Sequence, residues 1–375
     1  MTDPQQSVTP EPAVPRPRDP RFSAVPRPRD PRFSAMAVSG TLAVVLGGAA
    51  LLIPAPYVVE APGPTFNTIG EVNDQPLIEV SGAETYPAEG ELSLTTVSVQ
   101  GGPNRQVSIF EAFSGWIDPE RDVQPEEIVY PPGTTQSELR EQGTVAMTSS
   151  QDAAIAAALG ELDIAFSESL TVAGLAPDSA SLDALQEGDV LSSIDGTDVV
   201  DISTIRTALN DAGGDAVELT VERDGASTQV TVVPKRSEEG NYQLGVLLSS
   251  TFQFPFDVSI QLDNVVGPSA GTMFALGIID ILTEGDLTGG RSFAGTGSID
   301  SVGNVGPIGG IAQKLTGART DGAEVFLAPA ANCDEVVGHI PAGLTVVSIE
   351  TLDDAVEAVE MLGNGGNASS LPSCS

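Results

Sequence analysis

Hydrophobic positions change their spacing several times along the chain of 375 residues, and each change predicts a different kind of element. The first apolar run, Met36–Ile53, contains no charged residue. About 18 to 20 such residues suffice for a helix that crosses a bilayer. The run therefore predicts a transmembrane helix over residues 36–57, with the alternative that it belongs to a cleaved secretory signal. Either interpretation exports the rest of the chain.

The residues before this run are rich in Pro and Arg and repeat themselves. Residues 14–24 recur unchanged at 25–35, and a tract with so little to bury is expected to stay unfolded. Six arginines lie in residues 1–35, whereas the next basic residue after the run is Arg105. The positive-inside rule then predicts a single-pass protein of the cell membrane, with this tail in the cytoplasm and the remainder outside. The tail would act as a spacer, as an electrostatic lipid contact or as a docking site.

Short strands and helices follow over residues 58–164. The spacing of apolar positions predicts strands at 76–80 and 91–99 and helices at 107–116 and 149–159. Ser149 or Ser150 is the expected N-cap of the second helix.

A segment with its own pattern covers residues 165–236. A Gly-Asp-Val-Leu sequence at 188–191 and an Ile-Asp-Gly sequence at 194–196 indicate two strands near a turn. Asp224 and Gly225 are typical of a hairpin turn. The elements predicted around them are a helix at 202–210 and strands at 217–223 and 228–233.

This order of elements resembles a bacterial-type PDZ domain. The resemblance implies that the end of a peptide adds as a strand in a groove, which would lie between the strand near Leu170–Val172 and the helix at 202–210. The alternative is that the segment is a lid or scaffold that binds nothing.

The remaining elements belong to residues 237–363, and a short tail covers 364–375. We predict strands at 242–249, 256–262, 324–328 and 344–349 and helices at 270–282 and 352–362. Because strands and helices alternate on both sides of the PDZ-like segment, that segment is interpreted as an insertion. The fold class is α+β, made of residues 58–164 and 237–363, with a small β-rich inserted domain.

Few side chains in this sequence could act as a general base. It contains one histidine, His339, and two lysines. Ser269 lies between a Gly-Pro turn and the apolar run 270–282, which places it near a helix N-terminus. Free backbone N–H groups there can hold an oxyanion. The same position also suits a serine that only caps the helix.

Lys314 has a setting suited to a base. Small and apolar residues surround it in the sequence, and burial among them lowers the pKa of an ammonium group. A neutral lysine can accept the proton of a serine hydroxyl. Ser269 and Lys314 therefore form a candidate catalytic pair.

Three short motifs around this pair resemble the proteolytic domain of the Lon peptidases. They are Gly267–Gly271, Thr296-Gly297 followed by Ile299, and Pro307–Gly310 with Lys314. The chain departs from the family at Ser298, where a glutamate is usual.

The resemblance implies a role for each matched residue. Ser269 would be the nucleophile and Lys314 the general base of a Ser-Lys dyad. Thr296, which lies 18 positions before the lysine, would hold the amine. Gly267, Pro268 and Ala270 would support the nucleophile. Assembly into a homo-oligomer is a further implication of the resemblance alone.

Charge and motif content exclude other classes of protein. Of 52 acidic and 16 basic residues, four and six lie in residues 1–35, so the exported part carries about −38. Such a surface disfavours nucleic acid as a partner. No His or Cys cluster predicts a metal, and no Gly-x4-Gly-Lys-Ser/Thr sequence predicts ATP binding, so no cofactor is expected. Outside the cytoplasm, Cys333 and Cys374 are expected to form a disulfide.

The sequence thus leads to one main functional hypothesis and two alternatives. The main one is an ATP-independent, membrane-anchored, extracytoplasmic serine endopeptidase that selects peptides or unfolded proteins through its PDZ-like domain. The first alternative is a peptide-binding scaffold whose peptidase domain is inactive or marginal. The second is a peptidase that cleaves only itself or one partner.

Overall fold

The fold contains a sheet with a hydrophobic core on each of its two faces. The computed structural model describes residues 31–103, 105–131, 133–237, 240–262 and 265–374. Most of the tail predicted to be unfolded therefore lies outside the described residues. The chain divides into two compact units, residues 1–53 and 54–375.

Helices occupy about a third of the described residues. They are α1 (Pro31–Leu52), α2 (Ile109–Ile117), α3 (Glu126–Val129), α4 (Gln136–Glu161), α5 (Ile202–Ala212), α6 (Gly271–Leu282), α7 (Ile311–Thr320), α8 (Cys333–Val336) and α9 (Leu352–Gly363). Short 3₁₀ turns lie at Ala330–Asn332 and Ala368–Ser370.

Strands make up most of the remaining regular structure. They are β1 (Pro54–Ala55), β2 (Tyr57–Asn67), β3 (Glu71–Val72), β4 (Gln75–Pro76), β5 (Ile78–Ser81), β6 (Glu91–Gln100), β7 (Val107–Ser108), β8 (Asp122–Pro125), β9 (Ser167–Leu175), β10 (Val190–Ile194), β11 (Thr197–Asp198), β12 (Val217–Arg223), β13 (Ala226–Val232), β14 (Lys235–Arg236), β15 (Tyr242–Gln243), β16 (Val246–Gln253), β17 (Asp257–Ile260), β18 (Ser292–Gly295), β19 (Ser298–Ile299), β20 (Val305–Gly306), β21 (Val325–Pro329) and β22 (Thr345–Ile349).

The first unit contributes helix α1 to the described residues. Among all helices described, none combines the length and the hydropathy that a bilayer-crossing segment requires. The predicted membrane span is not supported by this finding.

One six-stranded sheet has the strand order β22-β21-β18-β6-β2-β8. The four strands from β22 to β6 are parallel, β2 pairs antiparallel with β6, and β8 pairs antiparallel with β2. Three strands come from residues before the PDZ-like segment and three from residues after it. Both halves of the chain therefore build one mixed α/β domain.

Helices cover both faces of this sheet. Along β21, Val325 and Leu327 join the core that includes α4, α6 and α9, whereas Phe326 and Ala328 join the core that includes α7. Side chains alternate between the faces of a strand, so a strand buried on both faces reads as a continuous apolar run. All five residues of β21 are buried.

Helix α4 differs from the prediction. It begins at Gln136, where Thr135 and Glu138 form a capping box, and it runs for 26 residues. Ser149 and Ser150 lie inside the helix, so their predicted role as N-caps is wrong. The first half is polar and largely exposed, and therefore shows no apolar periodicity that a sequence pattern could report.

The sheet of the PDZ-like segment also has six strands, in the order β13-β12-β10-β9-β16 with β11 paired to β10. Its core contains Leu170, Val172, Leu219 and, from α5, Ile205. The predicted hairpin at Asp224-Gly225 is confirmed, because both residues have positive φ and join β12 to β13.

The predicted peptide groove beside β9 is corrected by this sheet. Strand β16 pairs with β9 from Val246 opposite Leu175 to Gln253 opposite Ser167. The chain's own strand thus fills the edge that was expected to receive a peptide. The sequence pattern found both strands but could not tell which edges would pair. Within the described residues, β16 is the edge strand of this sheet on the side of β9, and β13 is the other edge strand.

The expected disulfide is confirmed. Cys333 and Cys374 are bonded, and this bond ties the end of the chain to the start of α8. Cys374 is also part of the core beneath α7. The tail after α9 is thus held against the domain.

Candidate active site

Ser269 lies immediately before helix α6. Gly267 has a φ of +96°, which favours glycine and turns the chain. Ala270 is the N-cap residue of α6, and no side chain caps the helix. The alternative that Ser269 is a plain helix cap is therefore wrong. Its hydroxyl is directed to another element.

That element is helix α7, which carries Lys314 in its second turn. The Nζ atom of Lys314 lies 2.8 Å from the Oγ atom of Ser269. It also lies 2.8 Å from the Oγ1 atom of Thr296. The structure thus brings together the three side chains that the sequence singled out over 45 residues.

Thr296 joins the nucleophile to the amine. Its side chain is fully buried, and its Oγ1 atom lies 2.8 Å from the carbonyl oxygen of Ser269. A hydroxyl has one proton to donate. Because the carbonyl oxygen can only accept, Thr296 donates to Ser269 and accepts from Nζ of Lys314. This arrangement orients the amine towards the serine.

Burial sets the protonation of the lysine. Only 2% of Lys314 is exposed, and desolvation of the charged form lowers its pKa from 10.5 to about 8. The described residues place no carboxylate in salt-bridge contact with it. Near pH 8 about half of the molecules therefore carry a neutral amine, which can accept a proton.

Gly297 fixes the nucleophile through its backbone. Its N–H donates to the carbonyl oxygen of Ser269 at 2.9 Å. A Cβ atom at Gly297 would lie 2.5 Å from Oγ1 of Thr272, and its φ is +155°. Both the space and the backbone conformation thus favour glycine here.

Helix α4 supports the turn before the nucleophile. The hydroxyl of Ser150 donates to the carbonyl oxygen of Pro268 at 3.0 Å. A Cβ atom at Gly271 would lie 2.9 Å from Oγ of Ser150 and 2.7 Å from Cγ2 of Ile299. Glycine therefore lets α4, α6 and β19 approach one another closely.

The three predicted supporting residues occupy this turn. The N–H of Gly267 donates to the carbonyl oxygen of Gly143 in α4 at 3.1 Å. Pro268 is exposed, and Ala270 is 3% exposed beneath the turn. The turn is thus anchored to α4 on one side and to the core on the other.

Sequence reasoning missed the role of two residues. The sequence predicts Ser150 as a helix cap and Gly297 only as part of a motif. Their contacts join α4 to the turn and the β18–β19 connection to the nucleophile, so no local pattern could report them. The positive φ of Gly297 is the only feature with a sequence signal, namely the glycine itself.

A cleft lies between the sheet of the PDZ-like segment and the turn before Ser269. It has a volume of about 940 Å³ and is lined by β9, β16, α5, α4, Pro268 and the segment Ile299–Ser301. It reaches Pro268, the residue before Ser269, and Ser269 itself is half-buried. Arg206 of α5 and Asp300 face each other across the cleft at 3.7 Å.

Other chemistries find little support in the described residues. His339 is exposed, and its Nδ1 atom pairs with the carbonyl oxygen of Glu335 at 2.9 Å. Among the described residues, no group of three or more potential metal-ligating side chains occurs.

The catalytic segment matches a known family model. Residues 263–361 match the model of the Lon protease (S16) C-terminal proteolytic domain. This part of the chain is thus similar to the proteolytic domain of the Lon proteases.

Individual Lon proteases show the same local similarity. The chain is 36% identical over 95 residues to the Lon protease of Campylobacter concisus, covering 24% of this chain and 12% of the relative. It is 36% identical over 105 residues to the archaeal Lon protease of Methanocaldococcus jannaschii, covering 28% and 16%. It is 29% identical over 144 residues to Lon protease 1 of Bacillus subtilis, covering 36% and 18%. The chain thus spans less than a fifth of the length of these relatives.

Solved structures with a similar part include two small bacterial domains. The PDZ domain of the SdrC-like protein of Listeria monocytogenes is 20% identical, with a TM-score of 0.20, covering 21% of this chain and 85% of that one. A Geobacillus thermodenitrificans protein solved in solution is 25% identical, with a TM-score of 0.19, covering 20% and 92%.

Proposed function

We propose that the protein is an ATP-independent serine endopeptidase in which Ser269 is the nucleophile and Lys314 the general base. The observation that carries this proposal is the buried amine held 2.8 Å from both the Ser269 and Thr296 hydroxyls. A buried lysine of lowered pKa beside a serine has the chemistry of an activated nucleophile. The lack of an ATP-binding sequence supports independence from nucleotide.

Acylation begins when the neutral amine of Lys314 accepts the proton of the Ser269 hydroxyl. The Oγ atom then forms a bond to the carbonyl carbon of the substrate, and the carbonyl oxygen becomes an oxyanion. When the C–N bond breaks, the leaving amine takes the proton from the Lys314 ammonium. Water, deprotonated by the same amine, later displaces Ser269 from the acyl group.

The start of helix α6 supplies the stabilisation of the oxyanion. The first N–H groups of a helix lack intrahelical partners and lie at the positive end of its dipole. Ser269 precedes the first residue of α6 by two positions. The N–H of Thr272 already donates to the carbonyl oxygen of Gly297 at 3.2 Å, so the oxyanion would be held by the other N–H groups of this turn, where preorganised donors contribute most.

The cleft beside the active site is proposed to select the substrate. Strand β16 has an unpaired outer edge among the described residues, and an extended peptide can add to such an edge. Leu247 and Leu248 of β16 line the cleft that reaches Pro268, next to Ser269. A peptide or unfolded protein held along β16 would therefore be close to the nucleophile.

The envelope location is also part of the proposal. The uncharged run Met36–Ile53 and the arginines before it support export. The disulfide between Cys333 and Cys374 is typical of proteins outside the cytoplasm. Homo-oligomeric assembly has no support beyond the family resemblance.

Turnover of an unfolded protein and of a fluorescence-quenched peptide by the full-length chain tests the enzyme proposal. The assay contains no nucleotide and compares Ser269→Ala and Lys314→Ala with the native chain. The matched control is Lys235→Ala, which removes the other lysine, an exposed one. We expect both site variants to lose turnover and the control to keep it. Equal turnover in all four proteins would contradict the proposal and favour the scaffold.

A further inference from the structure

Helix α2 exposes its large apolar residues and buries small ones, which is the reverse of an ordinary surface helix. Its two buried residues are small, Ala112 and Gly115. Its large apolar residues are exposed, at fractions from 44% for Ile109 to 70% for Ile117. We call the outward set, which consists of Ile109, Phe110, Phe113, Trp116 and Ile117, the α2 apolar face.

Positions along the helix explain why these residues form one face. At about 100° per residue, the five side chains fall within roughly a third of the helix circumference. Glu111 and Ser114 lie on another side, and Ala112 and Gly115 on the third. The apolar surface is therefore a continuous stripe rather than scattered single residues, and such a surface marks an interaction site.

Packing prevents the helix from rolling to bury this stripe. A Cβ atom at Gly115 would lie 2.6 Å from Cγ2 of Val123 and 3.3 Å from Cγ1 of Val59, so α2 rests directly on β8 and β2. Ser108 and Glu111 form a capping box that fixes the first turn. The outward direction of the stripe is thus set by the fold.

Chain connectivity indicates what covers the stripe. Pro54 and Ala55 of β1 pair with Ser108 and Val107, which directly precede α2. Pro54 also directly follows the uncharged run Met36–Ile53. The residue before α2 is therefore paired with the residue that follows this uncharged run.

The aromatic side chains match a lipid interface. The rings of Trp116 and Tyr57 meet edge to face, with centroids 5.1 Å apart, and Tyr57 lies only three residues after Pro54. Trp and Tyr favour the boundary between the acyl chains and the head groups. A short helix with Phe and Trp on its apolar face is suited to lie in that boundary.

Charge argues against a second copy of the chain as the occupant. Glu111, Asp118 and Glu120 flank the stripe, and Arg105 and Arg121 offset only part of their charge. Two copies that met through this face would bring the remaining negative charges together, and the same charges disfavour anionic lipids. A membrane rich in zwitterionic lipids is the surface that this charge distribution accepts.

We propose that the α2 apolar face inserts into the head-group boundary of a membrane and holds the catalytic domain on the lipid surface. This inference rests on the envelope location proposed above, not on the peptidase chemistry. A second attachment point would restrict the rotation of the domain about its N-terminal segment. The substrate cleft would then keep one orientation towards the membrane.

The single tryptophan makes this testable without labelling, because Trp116 is the only one in the chain. The full-length protein is reconstituted into phosphatidylcholine vesicles whose acyl chains carry bromine, and the vesicles are floated on a density gradient. We expect the floated protein to show Trp116 emission that is quenched by bromine and shielded from aqueous acrylamide.

The possible results distinguish insertion of α2 into lipid, membrane location without insertion, and contact with a second copy of the chain. Floated protein whose Trp116 is open to acrylamide and unaffected by bromine overturns the insertion of α2 but leaves the membrane location intact. Protein that does not float overturns both. Shielding that depends on protein concentration and not on lipid overturns the lipid proposal in favour of a second copy.

Substitutions on the stripe provide a second readout. Phe110 and Phe113 are half-exposed, so the double variant Phe110→Ser, Phe113→Ser is expected to fold normally and to lose the bromine quenching of Trp116. The control is Val200→Ser, which changes a residue that is 63% exposed elsewhere on the chain. Quenching that survives in the double variant would also overturn the proposal.

Discussion

The surroundings of Ser269 and the β16 edge of the sheet in the PDZ-like segment differ in how far their polar groups are hydrogen-bonded. At Ser269, three side chains and two backbone groups bond to one another in a buried cluster. Along β16, one strand edge has no partner in the described residues and faces an open cleft. The bonded groups at Ser269 are held in one arrangement, which suits catalysis. The unpaired edge of β16 can bind many different peptide segments, which suits substrate recognition.

The largest effect is expected when the buried base is removed. Lys314→Met keeps most of the side-chain volume but has no amine, so kcat/KM should fall by about 10²–10⁴-fold. The free energy of unfolding at pH 7 should not fall, because burial of this lysine disfavours its charged form. Peptide turnover and urea unfolding of both proteins check this.

The same substitution gives a signed pH effect on stability. The pKa of Lys314 is lower in the folded chain, so between about pH 8 and 10.5 the unfolded chain binds more protons. The free energy of unfolding of the native chain should therefore rise with pH in this window, relative to Lys314→Met. Parallel curves for the two proteins would show that Lys314 is not buried as described.

A second prediction concerns the pH dependence of activity. Because only the neutral amine accepts the proton of Ser269, kcat/KM should increase about tenfold per pH unit below the pKa of Lys314 and level off near pH 8. Initial rates on the quenched peptide between pH 5.5 and 9.5 measure it. A profile without a rise in this range would exclude Lys314 as the base.

Removal of the Thr296 hydroxyl tests how the amine is oriented. Thr296→Val keeps the shape but loses the bonds to Nζ of Lys314 and to the Ser269 carbonyl oxygen. We expect kcat to fall roughly 10- to 100-fold, since the substitution removes two hydrogen bonds that contribute about 0.5–1.5 kcal/mol each. Thr296→Ser, which retains the hydroxyl, should restore most of the rate. If both variants behave alike, the role of Thr296 is packing.

A smaller effect is expected at the support of the turn. Ser150→Ala removes the bond to the carbonyl oxygen of Pro268 and should lower the free energy of unfolding by about 1 kcal/mol. Thermal unfolding compares it with Ser149→Ala, the neighbouring serine in the same helix. Equal stabilities of the two variants would indicate that α4 does not fix the turn.

The smallest effect on chemistry is expected at the open edge. Leu247 is 67% exposed and lines the cleft, so Leu247→Asp should raise KM for an unfolded protein and leave kcat for a short peptide unchanged. Val233→Asp, at a residue 57% exposed but not among those lining the cleft, is the control. Unchanged KM in both variants would remove β16 from substrate selection.

Local sequence signals determined much of the catalytic half. The apolar run after Ser269 predicted a helix, and that helix is α6. The apolar setting of Lys314 predicted a lowered pKa, which burial within α7 produces. Short periodic patterns, caps and turns depend on neighbouring residues, so they can be read without knowledge of the fold.

Only the tertiary structure decided which distant groups meet. It put Ser150 under the turn, paired β16 with β9 in place of a peptide, and directed the apolar residues of α2 outward. Each of these outcomes depends on contacts between elements far apart in the sequence. A strand carries the same pattern whichever neighbour pairs with its edge, and a helix carries the same stripe whether the stripe faces a core or the outside. The physical choice lies in long-range packing, which no local pattern records.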